Sequence, residues 1–138
     1  MTSLADIIEA HRTREGPLLP ILHDVQASFG HVSEAAIREI AHSLNLTRAE
    51  VHGVVSFYHD FRDAPDDRPV IRLCRAEACK ARGVEALVSA VEAAAGSRVR
   101  VETVYCLGLC SVGPSAMIGE TVHARLTRDS AVGLVEAL

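Results

Sequence analysis

The chain has 138 residues, 49% of them apolar and 23% charged, which fits one ordinary domain or two small ones and excludes a disordered chain. Its formal charge of −4 comes with no basic stripe and no interleaved aromatics, which argues against nucleic acid as a partner. No apolar run approaches the ~18–20 residues needed to span a bilayer, and Met1 to Arg12 has no basic lead, long apolar core or twin arginine, so the reading is a soluble, cytoplasmic protein with no membrane insertion.

The first sixty residues predict four short helices. Leu4, Ile7, Ile8 and His11 share one face behind a Ser3 cap, with Asp6 at the capping-box position. Gly16-Pro17 breaks the chain, and Pro17 suits the first turn of a helix whose face is Leu18, Ile21, Leu22, Val25 and Phe29, closed by Gly30. Ser33 caps a third helix with Ile37, Ile40, Ala41 and Leu44 on its face, stopping near Asn45. Thr47 and Glu50 form a capping box for a fourth, with Val51, Val54, Val55 and Tyr58 facing inward. These stripes read as helix–helix core.

Asp60 to Pro69 is polar and carries two prolines, so it reads as a connection between the halves. The expected organisation is a helical domain over 1–61, a linker over 62–69 and a second domain over 70–138. Beyond the linker the periodicity changes. Residues 69–74 are strand-like, Val84, Leu87, Val88, Val91 and Ala95 form a helical face stopped by Gly96, and 98–104 alternates like a second strand. Residues 115–118 and 121–126 read as a hairpin around Gly119-Glu120. Thr127 or Ser130 caps a closing helix through Leu134 and Leu138. The order β-α-β-β-β-α is an α/β arrangement. Phe29, Phe57, Tyr58 and Phe61 all precede the linker and only Tyr105 follows it. The second half must therefore build a small aliphatic core, which a metal centre would help to hold.

All four cysteines lie in that half, as Cys74-Arg-Ala-Glu-Ala-Cys79 and Cys106-Leu-Gly-Leu-Cys110. In a reducing compartment paired cysteines are more often metal ligands or redox groups than structural disulfides. Two pairs on two loops match the need of a binuclear iron–sulfur cluster, one pair for each iron. If strands 69–74 and 98–104 flank one crossover, they are parallel, and both pairs leave the same sheet edge. Gly108 permits close backbone approach, Pro114 stiffens the second loop's exit, and Arg72, Arg75, Lys80 and Arg82 place positive charge about the first pair. A structural zinc site also takes four cysteines, but usually with a two-residue knuckle in at least one pair. A dithiol–disulfide enzyme calls for Cys-x-x-Cys, which is absent. A Rieske centre needs two histidines beside the cysteines, and the nearest, His59 and His123, lie outside both loops.

The remaining histidines (His11, His23, His31, His42 and His52) are scattered and suit surface or helix-end positions. Ser111 and Ser115 have no His/Asp partners in any triad-like pattern, and no Rossmann or P-loop glycine pattern exists. No catalytic residue is predicted. Any flavin or nucleotide must then sit on another chain.

Cys-x4-Cys followed by Cys-x3-Cys and Pro114 resembles the [2Fe–2S] subunit family of NADH dehydrogenases, which are thioredoxin-like ferredoxins. The helical half is similar too, through Leu18-Leu-Pro-Ile-Leu-His-Asp-Val-Gln26, Phe29-Gly30 and Glu50-Val-His-Gly-Val-Val-Ser-Phe-Tyr58. The resemblance covers nearly the whole chain. It implies an N-terminal helical bundle for docking, followed by a thioredoxin-like [2Fe–2S] ferredoxin domain with Cys74, Cys79, Cys106 and Cys110 as the cluster ligands. It also implies a flavin subunit with FMN and NAD as direct partner, and exchange of single electrons with that flavin; plant-type clusters held by cysteines alone lie at ~−400 mV, so a low potential of that order is expected. Two departures stand out: a shorter spacer between the pairs than respiratory members carry, and Gly113 where Ala commonly precedes the Pro. Short chains of this kind are most like the gamma subunit of cytosolic NAD-dependent formate dehydrogenases, in which a larger subunit holds the molybdenum cofactor. The corresponding subunits of NAD-reducing hydrogenases and respiratory NADH dehydrogenase are the alternatives.

Overall fold

A computed structural model describes residues 2–138, so Met1 lies outside it. The chain divides into two compact units, Met1–Asp67 and Arg68–Leu138.

The first unit holds four helices, α1 (Leu4–His11), α2 (Leu18–Phe29), α3 (Glu34–Leu44) and α4 (Arg48–Phe57). The predicted caps form. Ser3 and Asp6 make a reciprocal box, Ser33 Oγ accepts from the Ala36 N–H at 3.1 Å, and Thr47 and Glu50 repeat the box on α4. Gly30 closes α2 in the left-handed region at φ 78°, where a glycine is favoured. Ile7, Ile8, Ile21, Leu22, Val25, Ile37, Ile40, Val51 and Val55 join one core with Phe61. The Gln26 side chain ties the segment after α4 to α2: its amide donates to the Asp60 carbonyl, and its carbonyl accepts from the Arg62 N–H at 2.6 Å.

Two residues expected on inward faces are not there. Phe29 is 45% exposed, being the last residue before the turn at Gly30. Tyr58 is 44% exposed, because α4 ends at Phe57 and Tyr58 is already extended.

The second unit runs β1 (Val70–Cys74), α5 (Glu77–Ala81), α6 (Glu85–Ala95), β2 (Arg100–Val104), a 3-10 turn (Cys110–Val112), β3 (Ala116–Ile118), β4 (Thr121–His123) and α7 (Arg128–Glu136). The sheet order is β2-β1-β3-β4. β1 and β2 are parallel, from Val70 opposite Arg100 to Cys74 opposite Val104, while β3 is antiparallel to both β1 and β4.

The crossover is two helices and not one. The five residues of α5 are too few to show a period, and Gly83 separates them from α6 at φ 90°. β4 stops at His123, short of the expected Leu126. Arg125 turns into the left-handed region at φ 50° and donates its N–H to Val112 O at 2.7 Å, which turns Leu126 into the core. That core is aliphatic apart from its thiols: Ile71, Leu73, Val84, Leu87, Val91, Val99, Ala116, Ala131 and Val135 surround Cys74 and Cys79. Among the described residues no helix is long and apolar enough to cross a membrane.

Candidate metal centre

Cys74 ends β1 directly opposite Val104, the last residue of β2, so the segments after both strands leave one edge of the sheet. The ladder runs one step further, with the Arg75 N–H donating to Val104 O at 2.9 Å. The first segment turns into α5, which carries Cys79; the second passes Tyr105 to Cys106 and reaches Cys110 at the start of the 3-10 turn. The parallel topology expected from the sequence thus delivers all four thiols to one end of this unit.

The two pairs differ in surroundings. Cys74 and Cys79 are buried at 2% exposure each, whereas Cys106 and Cys110 are exposed. All four are free thiols. The Sγ atoms of Cys106 and Cys110 are 3.5 Å apart. That is far beyond a disulfide bond of ~2.05 Å. It is close to the ~3.8 Å separating two thiolates on one tetrahedral metal with bonds of ~2.3 Å.

Main-chain donors reach sulfur both between the loops and within the second one. The Cys106 N–H donates to Cys74 Sγ at 3.3 Å, and the Gly108 N–H to Cys106 Sγ at 3.4 Å. Cys106 reaches this geometry with φ 86°, a region L residues rarely adopt and that costs about 1–3 kcal/mol. Gly108, at φ 77°, takes the same hand without that penalty. Burial pushes the Cys74 thiol up, but the N–H groups of Ala76, Cys106 and Leu107 and the Cys79 side chain outweigh it and hold the thiol below its ordinary value. Cys110 is pushed up, first by its hydrogen bond to Cys106 and then by the charge there.

These features fit an anionic iron–sulfur group. The donor set is four thiols, main-chain N–H groups aim at sulfur, and the Gly113 main chain lies against Cys79 with no room for a side chain. A Cβ on Gly113 would lie 3.0 Å from Cys79 Sγ. Cys74, Cys79, Cys106 and Cys110 are the side chains that would hold such a group. Among the described residues no three His, Cys, Asp or Glu side chains converge as a single-ion site.

Most of the basic residues singled out near the first pair are engaged elsewhere. Arg72 Nε donates to Glu102 at 3.1 Å, Arg75 grips Glu85 with two bonds of 2.9 and 2.6 Å, and Lys80 lies 3.8 Å from Glu77. Within the first unit, His11 Nε2 meets Asp24 at 2.6 Å, and the His23 ring lies tilted against Phe61 at a centroid distance of 5.0 Å.

Two features of the site escaped the sequence reading. Nothing in the pattern marks Cys106 for the left-handed region. Ser115, read only as a serine without triad partners, is buried against Cys79, and only its place next to Pro114 at the second loop's exit hinted at it.

Residues 4–138 match the thioredoxin-like [2Fe–2S] ferredoxin family. The chain is 33% identical over 121 residues to an NADH-quinone oxidoreductase subunit from Escherichia coli (strain K12), covering 81% of this chain and 73% of that one. It is 29% identical over 133 residues to the NADP-reducing hydrogenase subunit HndA of Solidesulfovibrio fructosivorans, covering 90% and 78%. Among solved structures it resembles a chain of the NAD+-reducing [NiFe]-hydrogenase in the H2-reduced state, with a TM-score of 0.68 and 25% identity over 83% of this chain. It spans only 21% of that hydrogenase chain. The [2Fe–2S] cluster is the cofactor consistent with these matches and with the thiols gathered at one sheet edge. The chain belongs to the thioredoxin-like [2Fe–2S] ferredoxin family.

Proposed function

We propose that this chain is an electron-transfer subunit that holds one [2Fe–2S] cluster on Cys74, Cys79, Cys106 and Cys110. When bound, that cluster supplies a one-electron carrier. The protein's part is to bind it with four thiolates, aim N–H groups at its sulfurs, and bury one side more than the other. The observation that carries the reading is the Cys106 N–H bond to Cys74 Sγ, which locks the second loop to the first pair at the edge shared by β1 and β2.

Its partner in this reading is a flavin subunit that binds NAD, within a complex that also holds a larger dehydrogenase subunit. The unit Met1–Asp67, which carries none of the thiols, serves as a docking element, and the complex works in the reducing cytoplasm. The resemblance of this short chain to the gamma subunit of cytosolic NAD-dependent formate dehydrogenases supports that parent complex. The corresponding subunit of an NADH-quinone oxidoreductase or NAD-reducing hydrogenase is supported equally, because relatives of those two kinds align over most of this chain.

A visible absorption spectrum with iron and acid-labile sulfide analysis of anaerobically purified protein tests the centre. Two irons and two sulfides per chain are expected. A colourless, zinc-loaded protein without sulfide overturns the reading in favour of a stapled interaction module. Co-purification tests the parent complex: a molybdenum subunit, a nickel subunit or a set of membrane subunits each points to a different one.

A further inference from the structure

Ser115 is the one buried polar side chain among the described residues, at 1% exposure. It lies in a run, Gly113 to Ala116, that is buried throughout. Its main-chain carbonyl accepts from the Cys74 N–H at 3.0 Å. Its hydroxyl faces Cys79 Sγ at 3.7 Å, within reach of a sulfur acceptor. One serine thus touches both cysteines of the buried pair, through the main chain on one side and the side chain on the other. Gly113 leaves the room for this approach, since a Cβ there would meet Cys79 Sγ at 3.0 Å and Arg82 Cδ at 3.3 Å.

Between two thiols or alcohols either group donates. A metal-bound cysteine has lost its proton, so only the hydroxyl is left to donate. A hydrogen bond to sulfur stabilises negative charge there, and the reduced centre carries one more negative charge than the oxidised one. Donation from Ser115 therefore favours reduction. Burial strengthens the effect, because water does not compete for the same sulfur.

We propose that Ser115 is a positioning residue that sets the reduction potential of the centre, by donating its hydroxyl hydrogen to Cys79 Sγ. The proposal rests on the reading of Cys79 as a cluster ligand. One electron enters from an external one-electron donor, which is oxidised. Ser115 keeps its proton throughout, and no covalent bond to it forms or breaks.

The test uses the full chain, purified anaerobically and titrated with dithionite and mediators while the reduced signal is followed by electron paramagnetic resonance. Ser115→Ala is expected to bind iron and sulfide normally. At a fixed poise its reduced-to-oxidised ratio falls about threefold to tenfold, a potential about 30–60 mV lower for a one-electron couple. Ser115→Thr, which keeps the hydroxyl, returns most of the shift. Should Ser115→Ala fail to load, Ser115→Gly, which also lacks the hydroxyl, is titrated in its place, and the same lowering of the potential is expected. A loaded Ser115→Ala or Ser115→Gly with unchanged potential overturns the proposal alone. A wild type without iron and sulfide overturns the ligand reading itself, and the proposal with it.

Discussion

The two units use their apolar residues differently. In Met1–Asp67 the core is hydrocarbon throughout, and three of the four helices are closed by a Ser or Thr at their own N-cap. In Arg68–Leu138 two thiols sit in the core at 2% exposure, beside the buried hydroxyl of Ser115. A core of hydrocarbon holds a shape and nothing more. A core that includes thiols able to ligate a metal would make cofactor binding part of its own stability, because the free energy of metal binding is then folding free energy.

The largest test of that contrast is removal of the thiols. Replacing any one of the four cysteines by Ser is expected to abolish the two-iron, two-sulfide content. The metal-free proteins then separate. Cys74→Ser and Cys79→Ser put a hydroxyl into an apolar core and cost about 1–3 kcal/mol. Cys106→Ser and Cys110→Ser change exposed positions and stay within about 0.5 kcal/mol. Denaturant unfolding of the four apo-proteins reads this directly, and equal losses would erase the distinction between the pairs.

Next comes Ile40→Ala, at a fully buried position of α3. It is expected to cost about 2–5 kcal/mol and to speed amide exchange through α1–α4, leaving iron content and visible spectrum unchanged. A bleached spectrum would mean that the first unit's core matters to the metal centre.

Smaller effects come from glycines. Gly113→Ala places a methyl 3.0 Å from Cys79 Sγ, so a loss of about 1–3 kcal/mol and an altered visible spectrum are expected. Gly53→Ala in α4 and Gly133→Ala in α7 meet nothing within 4 Å and are expected to stabilise by about 0.5–1 kcal/mol. Thermal unfolding of the three variants gives the signs.

The smallest effect belongs to the α4 cap. The hydrogen bonds from the Thr47 N–H and hydroxyl hold the Glu50 carboxyl below the ordinary carboxylate range. A folded value below the unfolded one contributes stability that is present above the unfolded pKa and lost as pH falls through the folded one. Glu50→Gln, which takes the titrating carboxyl away, is therefore expected to flatten the acid limb of exchange protection in α4, whereas Thr47→Ala, which keeps the main-chain N–H that is the larger cause, flattens it only in part. An unchanged acid limb would remove the cap from the account.

How far the sequence could be read follows the range of the interactions. The boxes Ser3/Asp6 and Thr47/Glu50 each lie within one turn and both form, and of the two candidate caps of α7 the structure uses Thr127, with Ser130 answering it across one turn. The parallel pairing of β1 with β2 was legible because a helical segment between two strands leaves few topologies. Phe29 and Tyr58 were misread because a periodic stripe does not say where its helix stops, and α5 because five residues show no period. The site was legible as chemistry, in the four thiols and their spacing. Its internal order was not. The buried and exposed character of the two pairs, the φ of 86° at Cys106 and the approach of Ser115 to Cys79 all depend on segments more than twenty residues apart in the chain.

By itself, then, the sequence determined which atoms are available: four thiols in two loops, helix starts capped by their own side chains, and a largely aliphatic second half with Tyr105 as its one Phe or Tyr. Those follow from residue type and short spacing, which act over a turn or a strand. Only the tertiary structure decided which sulfur is dry, which N–H points at it and which hydroxyl stands beside it. The physical reason is that burial and sulfur hydrogen bonds arise where the β1 edge, the loop after β2 and the run from Gly113 to Ala116 meet, and no local pattern records that meeting.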